Sequence, residues 1–445
     1  MNPTLDEIAS LFSSAGALKV LAKPLSENDN SKQQIYLGGS FEVLKEIPAE
    51  EVIAHDGGKR PNFKAKINLL WMGPDGRFIE APHAQLILYP DYPEVRLSGF
   101  LRGCNVAPSS NMQPIPKELR GPKNQRDGRI LFLAPTAKGT VLAFLANPGS
   151  FAALEFEDLR VRGHAQLLAN SEVIYQVPTS RITERGESTE VDLLTALARI
   201  NSLGWADSIR LNRHGQAVPY NAPNAGGYTL EALLDIIPNG RAEPDFKGWE
   251  VKGYGGDRIT LMTPEPDLGV YGVDGAERFL AKYGYLRDDG AVYFTGTHRA
   301  NTVHPRTKQT LFLSGFDPGS AKITNVSGGL QLVDQHGALS AGWSFARLIK
   351  HWADKHSQAA YVKYESRRVG DNRQYRYLSP IHLGVGTDFS NCLQQMHEGG
   401  VVYDPATKLE PPKGSGGPRI KSRNQFRIGR KNLAFLYEQF YERDL

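Results

Sequence analysis

The sequence predicts two domains of different class. Residues 1–180 read as a β-rich barrel or sandwich, and residues 188–445 as an α/β domain around a mixed sheet. Three observations carry this. A chain of 445 residues is long enough for two or three domains at roughly 100–200 residues each. The first part consists of short alternating runs punctuated by Gly, Pro and Asn, the signature of strands joined by tight turns. The second part alternates helical apolar spacing with strand-like runs.

In order along the chain, strands are expected at 34–37, 65–72, 85–89, 95–100, 129–133 and 141–145, with one or two helices among them. The connector 178–188, PTSRITERGES, has no cluster of large apolar groups, and its part 181–187 is taken as the linker. Ser188-Thr189-Glu190 then caps an apolar helical run. Helices are expected at 188–203, 229–237, 274–284, 341–355 and 431–441. Strands are expected at 248–252, 291–296, 309–313, 361–366 and 380–385.

Several classes are set aside. The most apolar stretch, 130–145, is broken by Pro135 and Lys138, so a membrane-spanning helix is not expected. The N-terminus has no basic segment followed by an apolar one, so no secretory leader is expected. Cys104 and Cys392 cannot build a disulfide framework or a four-cysteine zinc site, and a cytoplasmic location fits. No P-loop, dinucleotide fingerprint, HExxH or GxSxG motif occurs. A net charge of +4 excludes a polycation that coats nucleic acid by bulk charge, so any DNA affinity must reside in local segments.

The most informative stretch is Pro244-Asp245, four residues, then Glu250-Val251-Lys252. On a strand Glu250 and Lys252 share one face, while Trp249 and Val251 face the core. Asp245 precedes the strand and can fold back, so Asp245 and Glu250 can share a divalent cation. Hard oxygen donors suit Mg²⁺ better than zinc. Lys252 beside that cation can orient an attacking water. Glu231 is a further carboxylate, placed in the first turn of a helix ending at Pro238. Two decoys lack the third member: Pro90-Asp91 with Glu94 is followed by Arg96, and Pro74-Asp75 with Glu80 has no basic partner.

Tyr228-Thr-Leu-Glu231, Pro238-Asn-Gly240, Pro244-Asp245, Glu250-Val-Lys252 and Thr263-Pro-Glu-Pro266 together resemble the MvaI/BcnI restriction endonuclease family, a MutH-related branch of the PD-(D/E)xK nucleases. Gly400-Val-Val-Tyr-Asp404 and Lys421-Ser-Arg-Asn-Gln-Phe-Arg-Ile428 continue the resemblance, which spans about 188–445. It implies an α/β PD-(D/E)xK nuclease domain with Glu231, Asp245, Glu250 and Lys252 catalytic. Lys23-Pro-Leu-Ser-Glu-Asn28-Asp29-Asn30 and Pro93-Glu-Val-Arg96-Leu-Ser-Gly-Phe100 are similar to the EcoRII N-terminal effector domain. That domain type is a DNA-binding pseudobarrel. The loop after Asp29 is shorter here and lacks glycines. The combination resembles Type IIE restriction enzymes, and both parent families include readers of CC(A/T)GG, with CC(C/G)GG as the second choice.

Between residues 411 and 437 lie Lys413, Arg419, Lys421, Arg423, Arg427, Arg430 and Lys431 with no acid. Asn424 and Gln425 can read adenine, and arginine can read guanine. The DNA contacts expected in the catalytic domain are therefore Arg419, Lys421, Arg423, Asn424, Gln425 and Arg427. The segment 347–376 interleaves basic groups with Tyr361, Tyr364, Tyr375 and Tyr377, as a DNA groove or an ordinary helix-strand surface. In the N-terminal domain the expected contacts are Lys23, Asn28, Asp29, Asn30, Arg96 and Arg102. His298, His304 and His382 have no assigned role.

The expectation is thus a Mg²⁺-dependent, sequence-specific endonuclease cutting double-stranded DNA. The N-terminal domain would bind a second copy of the site as effector. One active site per chain implies a monomer making two nicks or a transient dimer. A cognate DNA methyltransferase is expected in the same host. The rivals are a MutH-like nicking repair enzyme and a non-enzymatic regulator with a vestigial nuclease fold.

Overall fold

The computed structural model describes residues 2–445 except 31–32, 123–124, 169–170, 180–188, 239–244, 356–357 and 413–416. The linker 181–187, Pro244 of the Pro-Asp motif, the Asn239-Gly240 pair and Lys413 lie outside the described residues. The chain divides into two compact units, residues 1–187 and 188–445.

Unit 1 holds a seven-stranded and a five-stranded sheet. The apolar run 65–72, expected as one strand, is two. Asn62–Lys66 pairs in the five-stranded sheet and Asn68–Met72 in the seven-stranded one. Between them the Ile67 amide bonds to the Ala84 carbonyl at 3.1 Å, so the chain turns a corner without losing its hydrogen bonding. Val20–Ser26 is buried on both faces. Val20 and Ala22 face the helices Leu5–Ser14 and Phe151–Val161, in one core with Ile8, Phe12, Phe132 and Phe156. Leu21, Lys23 and Leu25 point the other way and are buried too. A capping box starts the first helix: the Glu7 amide donates to Thr4 Oγ1 and the Thr4 amide to Glu7 Oε2.

Unit 2 is organised by the long strand Gln358–Val369. Glu250–Tyr254 runs parallel to it, and Ile381–Thr387 and Asn372–Tyr377 run antiparallel. The helices Thr189–Ser202 and Ala225–Leu233 cover one face through Leu193, Leu197 and Leu230, packed on Trp249, Val251, Ala360 and Val362. On the other face Tyr361 is fully buried, its hydroxyl 2.7 Å from that of Tyr437.

Three expected elements are corrected. The run 431–441 is a 3-10 helix, Arg430–Leu436, followed by the strand Tyr437–Arg443, which pairs with Ile381–Thr387. Tyr437, Phe440 and Tyr441 suit a half-buried pleat better than a helix. The run 341–355 begins as the strand Leu339–Ser344 and becomes helix only at Phe345. The helix expected at 229–237 is Ala225–Leu233. Thr229 does not cap it. Its hydroxyl is buried and bonds the Ile209 carbonyl at 3.1 Å.

Candidate active site and DNA cleft

Asp245 reaches Glu250 through a two-residue turn. Phe246 and Trp249 exchange backbone hydrogen bonds of 2.9 and 2.8 Å around Lys247 and Gly248. Both turn residues have positive φ, 45° and 91°, the combination a tight hairpin turn demands. The D-x4-E spacing is therefore the length of a hairpin that lays Asp245 back along the strand Glu250–Tyr254. Asp245 Oδ2 accepts from the Val251 amide at 3.1 Å. Alternation then places Trp249 and Val251 in the core and leaves Glu250 and Lys252 on the opposite face.

Lys252 Nζ donates to Glu250 Oε1 at 2.8 Å. Burial alone would depress the Lys252 pKa. Glu250, Asp245 and Glu231 together outweigh burial and hold it above the ordinary lysine value. The four groups thus share one electrostatic neighbourhood. Glu231 reaches it from the last turn of its helix, not the first, because the helix begins four residues earlier than expected. Glu250 is 3% exposed, and its Oε2 is buried without a hydrogen-bond partner among the described residues.

These groups line a cleft of 1530 Å³. Arg423, Asn424, Gln425 and Arg427 line it as well, as do Arg258, Glu265 and Arg373. Arg423 is exposed and Gln425 half-buried. Arg427 donates to Asp404 at 2.8 Å. Asn424, expected to read a base, is 1% exposed, and its amide is taken up by Tyr403, Glu265, Tyr271 and Ser422. It is not presented to a duplex. Arg419 and Lys421 form a short strand in a four-stranded sheet, outside the cleft lining, with Lys421 paired to Glu410. Of the tyrosines at 361–377, Tyr361, Tyr375 and Tyr377 are core residues.

In unit 1 burial changes the expected contact set. Lys23 and Asp29 are 4% and 7% exposed and form an ion pair of 2.9 Å. Asp29 also accepts from the Ser26 amide at 2.8 Å. Asn30 is buried, with φ 65°, and donates to the Met112 carbonyl at 2.7 Å. These three hold a turn together and do not face solvent. Asn28 and Arg102 are exposed. Arg96 is half-buried, bonded to Gln34 and Glu94.

His298, His304 and His382 lie outside the cleft lining. His298 is fully buried, stacks on Phe294 at 5.6 Å and meets His304 at 4.5 Å. His382 pairs with Glu442. Sequence reasoning passed over Glu265, Arg258 and Arg373 as individual site residues. Only the Thr263-Pro-Glu-Pro266 motif flagged the first of them.

Among the described residues no helix is long and apolar enough to cross a membrane. The sequence pattern of the MvaI/BcnI restriction endonuclease family matches residues 194–437. Among curated proteins, none matches significantly. Among solved structures the chain is similar to restriction endonuclease MvaI in complex with a cognate DNA substrate. The identity is 19% and the TM-score 0.47, over 58% of this chain and 98% of that one. It is also similar to MvaI in the absence of DNA, at 18% identity and a TM-score of 0.32, over 57% and 96%.

Proposed function

We propose, from the premise that this chain belongs to the MvaI/BcnI restriction endonuclease family, that it is a Type II enzyme hydrolysing duplex DNA at a specific short site with Mg²⁺. One observation carries this: Glu231, Asp245 and Glu250 converge on Lys252 in a cleft whose lining also includes Arg423 and Gln425.

Asp245 and Glu250 would hold the cation. The buried, unpartnered Oε2 of Glu250 fits an oxygen-seeking ion, and Mg²⁺ commonly takes only one or two protein carboxylates, filling the rest with water and phosphate. When bound, such an ion supplies a water of lowered pKa and offsets charge building on the phosphate. The three carboxylates favour the ammonium form of Lys252, and as an ammonium it would orient the water and the phosphate. The water oxygen would form a bond to phosphorus as the bond to the 3′-oxygen breaks, the water giving up a proton to solvent and the 3′-oxygen taking one from it, leaving a 5′-phosphate and a 3′-hydroxyl. Arg423 suits the guanine edge and Gln425 the adenine edge. CC(A/T)GG is the leading site, by resemblance. One constellation per chain implies two sequential nicks or a transient dimer. A methyltransferase of the same host would protect its own sites.

The N-terminal unit is proposed as the effector, a pseudobarrel binding a second copy of the site through Asn28, Arg96 and Arg102. Lys23, Asp29 and Asn30 would shape that surface from beneath.

The test uses plasmids bearing one or two CC(A/T)GG sites, with Mg²⁺ or EDTA. Discrete, Mg²⁺-dependent fragments are expected, with nicked circles as intermediates and a rate that differs between one and two sites. Asp245→Ala should bind DNA and not cut. Wild-type cutting by Asp245→Ala would refute the site. Equal rates on both plasmids would refute the effector role.

A further inference from the structure

The segment 422–425 links the strands Arg419–Lys421 and Phe426–Gly429. Its backbone is paired: the Arg423 carbonyl accepts from the Ala406 amide at 2.9 Å and the Gln425 carbonyl from the Asp404 amide at 2.8 Å. In such an extended run successive side chains take opposite sides. Ser422 and Asn424 take one side, and each bonds Glu265. Ser422 Oγ donates to Glu265 Oε1 at 2.6 Å, and Asn424 Nδ2 to Oε2 at 2.9 Å. Tyr271 OH donates to the same Oε2 at 2.8 Å. Tyr403 OH, from behind, donates to Asn424 Oδ1 at 2.7 Å.

Every member is held from elsewhere. Glu265 lies between Pro264 and Pro266, whose rings restrict the backbone there. The Pro264 carbonyl accepts from the buried Trp343 indole at 2.8 Å. Tyr403 is fully buried, edge-on to Trp343 at 4.8 Å. Arg423 and Gln425, on the other side of the segment, make no side-chain hydrogen bond among the described residues, so their donors are unspent. A satisfied polar network of this kind rigidifies what it holds.

We infer that Glu265, Tyr271 and Tyr403 are positioning residues that fix segment 422–425 so that Arg423 and Gln425 meet base edges in register. The inference rests on the endonuclease reading and deepens it. Both carboxylate oxygens of Glu265 are already engaged, by Ser422, Asn424 and Tyr271, so its assigned part is to hold the loop. It sets sequence discrimination through the loop.

The full-length wild type is first mapped by sequencing its cleavage ends. Glu265→Gln, Arg423→Ala and the double variant are then assayed on the mapped duplex and on duplexes with one base pair changed. Tyr271→Phe and Tyr403→Phe each remove only a hydroxyl and decide the matter if Glu265→Gln does not fold. Glu265→Gln should lower kcat/KM on the mapped site about 10- to 100-fold, mainly through KM. Cutting of the altered sites should change little, so discrimination shrinks. The double variant should lose less than the sum of the two single losses, because the Arg423 contact is removed by both changes while Gln425 is disturbed by only one. Fully additive losses, or unchanged discrimination in a folded variant, overturn the inference while wild-type cutting leaves the endonuclease reading standing. A wild type that cuts no duplex overturns both.

Discussion

Gly226 and Gly227 open the helix that carries Glu231, adjacent in sequence and opposite in surroundings. A Cβ at 226 would lie 2.3 Å from Tyr364 Cζ, while one at 227 would meet nothing within 4 Å. The Tyr364 ring is half-buried at the edge of the cleft, and the core tyrosines confine it on one side. It stands edge-on to Tyr375 at 5.2 Å and to Tyr377 at 6.1 Å. Tyr377 OH in turn donates to the Gly226 carbonyl at 2.7 Å. Gly226→Ala must therefore shift the helix, the Tyr364 ring or both by about 1 Å to restore ordinary contact, and the expectation is that the helix moves. Overpacking costs about 1–3 kcal/mol. Stretching the tyrosine bond costs about 1 kcal/mol. Better helix propensity returns at most about 1 kcal/mol. The net is a loss of about 1–3 kcal/mol. Glu231 moves with the helix, so cleavage should fall about 100-fold. Gly227→Ala should instead stabilise by about 0.5–1 kcal/mol. Chemical denaturation and single-turnover cleavage measure both effects. If Gly226→Ala unfolds and cuts like wild type, the close approach of helix and sheet does not position Glu231.

Lys23→Met leaves Asp29 charged and buried without its partner and should cost about 3–5 kcal/mol. Adding Asp29→Leu should recover most of that loss, and equal stability of wild type and Lys23→Met in denaturant would refute the pairing. His298 is held at about 3, by burial first and by His304 second, against 6.5 in an unfolded chain. The unfolded state therefore binds more protons between these values. Stability is complete above pH 6.5 and is lost towards about pH 3, by about 1.4 kcal/mol per unit. His298→Gln should flatten the acid limb of denaturant midpoint against pH, and an unchanged slope would show that His298 does not cause it.

What could be read in the sequence was local. The interval from Asp245 to Glu250 is a hairpin length, and alternation along 249–252 sorts core from site by itself. The sequence marks Glu231 but starts its helix at Thr229, because a hydroxyl before an apolar run looks like a cap. Only the strand 209–211, twenty residues upstream, shows that this hydroxyl is already engaged. Asn424 failed for the same reason. Beside Arg423 and Gln425 it resembles a base reader, and its partners at 265, 271 and 403 are distant in sequence. Lys23 and Asp29 read as surface charges, until both faces of their strand are seen to be covered. Residues 431–441 have apolar spacing that a helix and an edge strand can share, and the free edge of Ile381–Thr387 decides between them.

The strand bearing Glu250 and Lys252 pairs in parallel with a segment more than a hundred residues downstream, Lys252 opposite Tyr361. Parallel pairings of such separation are slow to form and must wait for their partner. On the ribosome, the carboxylates emerge well before the sheet that orders them, and Arg423 and Gln425 emerge later still. A nascent chain, or one broken off before residue 358, carries the acidic residues without their scaffold. The order of synthesis thus delays assembly of the site until the strand 358–369 and the segment 422–425 have been made, a consequence of connectivity alone.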